Sequence, residues 1–172
     1  MPRRPSASPA ASRRSAHTPP RLIVRSSDIH AAGCYSLDPI RSGQVVAEYD
    51  GPRIPKEEAD ERYGGRPVTY LFGFGDKNMV IDGFSTAMFM NHSCSANCET
   101  EEIDEHIYIT ALRDIAPGEE LVYNYHLYDS DLEDEAPCYC GTKACRGTMY
   151  SEAELARRAK LARRASRPSK TS

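Results

Sequence analysis

The sequence predicts a mostly β fold of the α+β class. Between residues 22 and 125 short apolar runs alternate with turn signals, as in a chain of short strands. Only two stretches, 56–63 and the Ala/Leu/Arg run after Ser151, carry a helical pattern. Hydrophobic residues make up 40% of 172, enough for one compact core and too many for wholesale disorder. No run reaches the roughly eighteen apolar residues of a membrane-spanning helix, so a transmembrane segment is not expected.

Residues 1–21 are rich in Arg, Ser, Ala and Pro, with prolines at 2, 5, 9, 19 and 20, and read as a disordered basic arm. Leu22-Ile23-Val24 is the first strand-like triplet, and further strands are expected at 44–49, 69–74, 79–81, 107–110 and 121–125. One short helix is expected over 56–63. An internal echo, L-x-x-I-x-x-G followed by an apolar strand, occurs at Leu37 to Gly43 and again at Leu112 to Gly118. It suits a turn closed by glycine. Beyond Tyr125 come an acidic loop at 129–135 and a cysteine cluster. Ser151-Glu152-Ala153-Glu154 then reads as a capping box opening a helix to about residue 165, where Ser166, Arg167 and Pro168 stop it.

The net charge of -3 conceals segregation. Residues 1–27 hold six arginines and no acid, or +6, and residues 151–172 hold seven basic and two acidic residues, or +5. The body, 28–150, holds nine basic and 23 acidic residues, or -14. An acidic body attracts cationic partners and repels nucleic acid. No helix-turn-helix or basic recognition helix is present, so specific nucleic-acid readout is not expected. The basic tails are solvated appendages, or touch nucleic acid weakly and non-specifically.

Six cysteines follow an N-terminus without an apolar signal segment, which points to an intracellular, reducing compartment. There, clustered cysteines bind metal or do chemistry. Cys138, Cys140 and Cys145 form C-x-C-x4-C, with Gly141 placed to allow a tight reversal. Residues i and i+2 of an extended chain share a face, so Cys138 and Cys140 can ligate one ion. Three thiolates leave tetrahedral zinc one ligand short. Cys94, Cys98, His92 and Cys34 are the candidates for the fourth. A redox protein is the rival reading, but the usual C-x-x-C spacing is absent.

The run Asn91-His92-Ser93-Cys94-Ser95-Ala96-Asn97-Cys98 has many local hydrogen-bonding groups and reads as a loop. It is either a polar turn capping a strand or a ligand cradle. Tyr123 and Tyr125, two apart on a strand, point the same way, which is half-buried packing or one wall of a site.

In this order, the pieces resemble the SET-domain protein lysine methyltransferases, over roughly residues 21–149. The strongest element is Phe89-Met90-Asn91-His92-Ser93-Cys94-Ser95-Ala96-Asn97-Cys98, close to R-F-x-N-H-S-C-x-P-N-C. Gly118-Glu119-Glu120-Leu121-Val122-Tyr123-Asn124-Tyr125 is similar to G-E-E-L-x-[FY]-D-Y. Residues 138–149 are similar to the post-SET C-x-C-G-x-x-x-C-R-G-x-L. Glu48-Tyr49-Asp50-Gly51 and Tyr70-Leu71-Phe72 match two further landmarks.

The resemblance implies a SET domain at 22–137 with a C-terminal pseudoknot, a post-SET zinc module at 138–150, and a basic helix and tail at 151–172. It implies S-adenosylmethionine as cofactor, contacted by Ala31, Ala32, Gly33, Asn91, His92 and Tyr125. Tyr125 takes the catalytic position, and Tyr70 and Tyr123 look like walls of a lysine channel. Cys94 becomes the fourth ligand of one structural zinc ion beside Cys138, Cys140 and Cys145, and Cys98 a free buried thiol. The implied reaction is methyl transfer to lysine in a basic, histone-like protein. A tyrosine at 123 favours mono- or dimethylation. The implied location is chromatin in a eukaryote or cytoplasm in a bacterium. The alternative is a zinc-stabilised module that binds basic peptides without methylating them.

The chain departs from the family pattern in several places. Ala31 replaces the first glycine of G-x-G, Met88 an arginine, Ala96 a proline and Asn124 an aspartate. The stretch between Asp82 and Asn91 is shorter than usual and lacks a Gly-Asn pair.

Overall fold

The computed structural model describes residues 18–66, 68–74, 78–128 and 132–165. Most of the expected basic arm, part of the acidic loop at 129–135 and the tail after residue 165 lie outside these. The described chain is tied down before the first strand: Pro20 is buried, and the Arg21 backbone and side chain both bond Asp38.

The elements are β1 (Leu22–Ser26), β2 (Ala32–Ser36), β3 (Val45–Tyr49), β4 (Arg53–Pro55), α1 (Lys56–Tyr63), β5 (Leu71–Phe74) and β6 (Met79–Asp82). A 3-10 turn (Thr86–Phe89) leads to β7 (Asn91–His92), β8 (Cys98–Ile103), β9 (His106–Ala111), β10 (Glu120–Tyr123) and α2 (Glu152–Ala165). The larger sheet runs β1-β2-β10-β8-β9-β3, with β7 also on β10, and a smaller sheet runs β4-β6-β5. The mostly β expectation therefore holds.

Burial follows the period of two where the sequence alternates. In β9, Ile107, Ile109 and Ala111 turn into the core. β8 was not expected, because Cys98-Glu99-Thr100-Glu101-Glu102-Ile103 is too acidic to read as a strand. It forms by pairing with β9 at six positions, Cys98 opposite Ala111 through Ile103 opposite His106. Asp104 and Glu105, both at positive φ, close a two-residue hairpin between them. β2, β4 and β7 were likewise invisible locally. The strand expected at 121–125 stops at Tyr123, and the chain turns at His126, where φ is 47°.

The two echo segments meet. Ile40 and Ile115 exchange backbone hydrogen bonds of 3.0 and 2.9 Å across an isolated bridge. Gly43 (φ 77°) and Gly118 (φ 83°) end the two segments in the left-handed conformation that the repeated glycine supplies. Both isoleucines are core residues, packed with Leu121, Ile109, Ile81 and Met90.

β10 is the centre of a knot-like crossing. It pairs antiparallel with β2 through Glu120 and Leu121, and parallel with β7 and β8 through Val122 and Tyr123. The loop at 93–97 clasps it: Ser93 N–H donates to Tyr123 O (3.1 Å) and Asn97 N–H to Val122 O (3.2 Å). The buried Asn97 side chain completes the clasp, donating to Glu120 O (2.8 Å) and accepting from Val122 N–H (2.9 Å). Leu121 is fully buried at this crossing. Leu121→Ala is expected to lower stability by about 2–5 kcal/mol, because the knotted strands cannot collapse into the cavity; urea unfolding measures it.

Past the knot, Leu127 bonds Met149 O and Ser151 N–H on either side of Tyr150, and Met149 N–H donates to Ala136 O. This closes residues 136–151 against the body. Only half of the expected capping box forms at α2: Ser151 Oγ accepts from Glu154 N–H at 3.1 Å. The Glu154 carboxylate, 2% exposed, instead pairs with Arg157 and Arg158. Arg158 stacks 4.1 Å over the Tyr150 ring and bonds its hydroxyl, which docks the helix on the cysteine segment.

Candidate active site and metal centre

Four phenols converge at the crossing. Tyr123 ends β10, Tyr125 follows it, Tyr49 ends β3 and Tyr70 precedes β5. The Tyr123 and Tyr125 rings lie 4.9 Å apart, so the shared face expected for these two residues survives the early end of the strand. Phe72 packs on Tyr49 at 5.1 Å and on Tyr123 at 6.4 Å, and Tyr70 packs on Phe89 at 5.7 Å. Tyr49 and Tyr123 are buried, Tyr125 half-buried, and Tyr70 is 38% exposed. The group is an aromatic cluster whose exposed end is Tyr70. Tyr49 was known only as part of a family landmark; here its hydroxyl donates to Tyr70 O at 2.8 Å and fixes the loop before β5.

The Tyr125 hydroxyl donates to Met90 O at 2.8 Å. Burial, with Tyr70 nearby, pushes its pKa up; burial and Tyr125 do the same for Tyr49 and Tyr123. All three therefore remain neutral O–H groups across the physiological range. Tyr125 has committed its hydrogen to a carbonyl, so its oxygen lone pairs are what it offers to a neighbour.

On the other side of β10, Asn91 and His92 are buried on β7. The Asn91 amide nitrogen donates to Ala32 O (2.9 Å), Glu120 Oε1 (2.8 Å) and Ser27 Oγ (3.2 Å). The structure thus brings Asn91 to the β1–β2 loop that carries Ala31, Ala32 and Gly33. Ala31 is exposed and has no left-handed φ, so the missing glycine imposes no strain there. Gly33 is buried, and a Cβ there would overlap the Glu120 carboxylate. This loop and Asn91 meet in one place, where the Ala32 backbone carbonyl and the Asn91 amide come together. His92 is engaged at both ring nitrogens. Its Nδ1 accepts from Tyr125 N–H (3.1 Å), which leaves the ring hydrogen on Nε2, 3.5 Å from Cys94 Sγ. Burial, then Arg146, pushes its pKa down to about 4, so the ring is neutral.

Cys94, Cys138, Cys140 and Cys145 place their four sulfurs within 4.8 Å of one another. Sulfurs around tetrahedral zinc, each at about 2.3 Å, lie roughly 3.8 Å apart. The Cys94 and Cys138 sulfurs are 3.7 Å apart. Arg146 N–H points at Cys94 Sγ (3.3 Å) and Gly147 N–H at Cys145 Sγ (3.4 Å), as thiolates require. The donor set fits a closed four-thiolate ion. Of the other candidates, Cys34 and Cys98 are buried on β2 and β8, outside the cluster, with burial raising both thiols to about 12. His92 touches Cys94 and is not one of the four.

Sequence reasoning assigned no role to Ser27, Tyr49, Met90 or Glu120. The last three lie inside motifs that were read for their neighbours, Ser27 carries no local signal, and each enters through a contact made by the fold.

Comparison with known proteins agrees with this architecture. The chain is 38% identical over 148 residues to histone-lysine N-methyltransferase ATX2 of Arabidopsis thaliana, covering 78% of this chain and 13% of that protein. It is 41% identical over 132 residues to histone-lysine N-methyltransferase trithorax of Drosophila virilis, covering 70% and 3%. It is 40% identical over 143 residues to the H3 lysine-4 specific histone-lysine N-methyltransferase of Saccharomyces cerevisiae, covering 76% and 13%. This chain thus spans only a small part of the length of these relatives. The model of the SET domain matches residues 31–126, more than half of the chain. With its knotted β10 and its post-SET-like cysteine cluster, the chain belongs to the SET domain family.

Proposed function

We propose that the protein is an S-adenosylmethionine-dependent lysine methyltransferase acting on a basic, histone-type protein, with one structural zinc ion. The observation that carries this is the cluster of neutral phenols at the knot, with the Tyr125 hydroxyl held on Met90 O. The names of the relatives support the substrate class, as does the charge of -14 over residues 28–150, where nine basic residues face 23 acidic ones. S-adenosylmethionine supplies a methyl group on a positively charged sulfur. Asn91 and the backbone of Ala31, Ala32 and Gly33 hold it; His92, whose ring is engaged, contributes its backbone. Zinc on Cys94, Cys138, Cys140 and Cys145 holds the C-terminal module in place.

Tyr70 and Tyr123 form the channel walls. A lysine in water has a pKa of about 10.4, so it has to lose a proton before it can act as a nucleophile. The aromatic channel favours the neutral amine by excluding water. No phenol is ionised to take the proton, so it leaves to solvent. The Tyr125 oxygen then accepts from an amine N–H and orients the nitrogen lone pair, so positioning supplies most of the acceleration. A reducing compartment suits the four thiols, with chromatin the site in a eukaryote and cytoplasm in a bacterium. Among the described residues, no helix is long and apolar enough to cross a membrane.

Transfer of labelled methyl groups to core histones, with lysine products identified by mass spectrometry, tests the reading. Folded, zinc-loaded protein that transfers none, yet binds basic peptides, would establish the non-catalytic alternative. The Tyr123 hydroxyl occupies volume in the channel, so mono- and dimethyl-lysine are the expected products. Tyr123→Phe is expected to shift them toward trimethyl-lysine, and trimethyl-lysine from the wild type would refute that assignment.

A further inference from the structure

Two adjacent carboxylates enter β10 and serve opposite sides of it, as the period of two requires. Glu119 pairs with Arg113 and accepts from the Asn97 clasp at 3.2 Å, so it belongs to the knot. Glu120 turns toward the β1–β2 loop. Its oxygens accept from Ser27 Oγ–H at 2.8 and 3.0 Å, from the Asn91 amide at 2.8 Å and from the Tyr35 hydroxyl at 3.1 Å. It lies directly against Gly33, where an added Cβ would push on the carboxylate and on Ser27 Cβ.

We propose that Glu120 is a positioning residue for the cofactor, an inference that rests on reading residues 31–33 and Asn91 as the cofactor cradle. A carboxylate only accepts, so it dictates the direction of every hydrogen bond around it. Together with Ala32 O, which also only accepts, Glu120 keeps the Asn91 nitrogen turned inward. The Ser27 hydrogen points to Glu120, which frees the Ser27 oxygen to accept from Ile29 N–H at 3.0 Å and shape the turn into Ala31. One side chain thereby helps set both halves of the cradle, the loop and the amide, without touching the ligand.

The test is calorimetric binding of S-adenosylhomocysteine to the zinc-loaded full chain, which requires no turnover. Wild type is compared with Ser27→Ala, Glu120→Gln, Glu120→Ala and Ser27→Ala/Glu120→Ala, each checked for folding by thermal melting. Glu120→Ala is expected to weaken binding about tenfold or more, since it removes the acceptor of the Ser27 hydroxyl and one of the acceptors of the Asn91 amide, which loosens both halves of the cradle together. Ser27→Ala alone is expected to cost about threefold, and the double variant no more than Glu120→Ala, because the two act as one unit. Glu120→Gln is expected to stay within about threefold, as its oxygen accepts from Asn91 and Ser27 and its amide donates to Tyr35. In turnover, the KM for S-adenosylmethionine rises while kcat at saturation holds.

Folded Glu120→Ala with wild-type affinity overturns the proposal, as does Glu120→Gln as weak as Glu120→Ala, or additive effects in the double variant. If Glu120→Ala does not fold, Ser27→Ala decides: unchanged affinity overturns the proposal, and weakened affinity with intact Glu120→Gln supports it. A wild type that binds no cofactor overturns this inference together with the proposed function. A wild type that binds and methylates while the Glu120 variants bind equally well overturns this inference alone.

Discussion

Tyr125→Phe is expected to lower methyl transfer by about 10²–10³-fold, the usual cost of removing one positioned group at a reacting centre. The substitution removes one oxygen from a half-buried ring. The ring keeps its packing on Tyr123 at 4.9 Å and on His92 at 5.4 Å, and the Tyr125 N–H keeps its bond to His92 Nδ1. What disappears is the acceptor held by Met90 O, and the Met90 carbonyl loses a donor. Cofactor binding and zinc content are therefore expected to stay at wild-type values while kcat falls. Single-turnover kinetics beside a cofactor titration measures the split. A mutant with wild-type kcat would remove Tyr125 from the chemistry.

Loss of the metal is expected to have the second large effect. Structural zinc in small modules contributes about 10–16 kcal/mol of apparent binding free energy, so removing it amounts to unfolding the segment it closes. Residues 136–151 have few core contacts of their own; Ala136 and Tyr150 are the buried apolar ones. Chelation, or Cys145→Ser, is expected to release this segment and with it α2, whose Arg158 is docked on Tyr150. Activity is expected to fall as well, because the His92 ring joins Cys94 Sγ to the Tyr125 backbone. Elemental analysis is expected to find one zinc per wild-type chain. Hydrogen exchange is expected to speed up over residues 136–165 in the chelated protein. Cys98→Ala serves as the control, since its thiol lies in the core away from the cluster and zinc should remain. Zinc lost equally from Cys98→Ala would mean that the four sulfurs are not the ligand set.

Much of the site was legible in the chain because the chemistry needs scarce residue types at short spacing. Cys138, Cys140 and Cys145 announce a metal by themselves, and Tyr123 and Tyr125 announce a shared face. Helix α1 was readable to its end residues, since Pro55 and Gly64 bracket a run with an internal Arg62–Glu58 pair. β8 was not readable, because its four acidic and polar residues deny any local strand signal and its form comes from pairing with β9. The choice among Cys34, His92, Cys94 and Cys98 for the fourth ligand was also open from spacing alone. All four residues lie far along the chain from Cys138; the family resemblance pointed to Cys94, and the fold brings that sulfur to the other three.

The residue sequence by itself therefore carried the class of fold, the family and the candidates for the reactive groups. These depend on composition, alternation and motif spacing, which are local. The strand partners of the knot, the Ile40–Ile115 pairing of the two echoes, the part played by Tyr49 and the reach of Glu120 to Ser27 and Asn91 came from the folded chain. Glu120 and Ser27 are 93 residues apart, and no periodicity spans that distance. Such contacts are made when hydrophobic burial around Leu121 and its neighbours brings β10 between β2 and β7, and the polar side chains then satisfy one another where they meet.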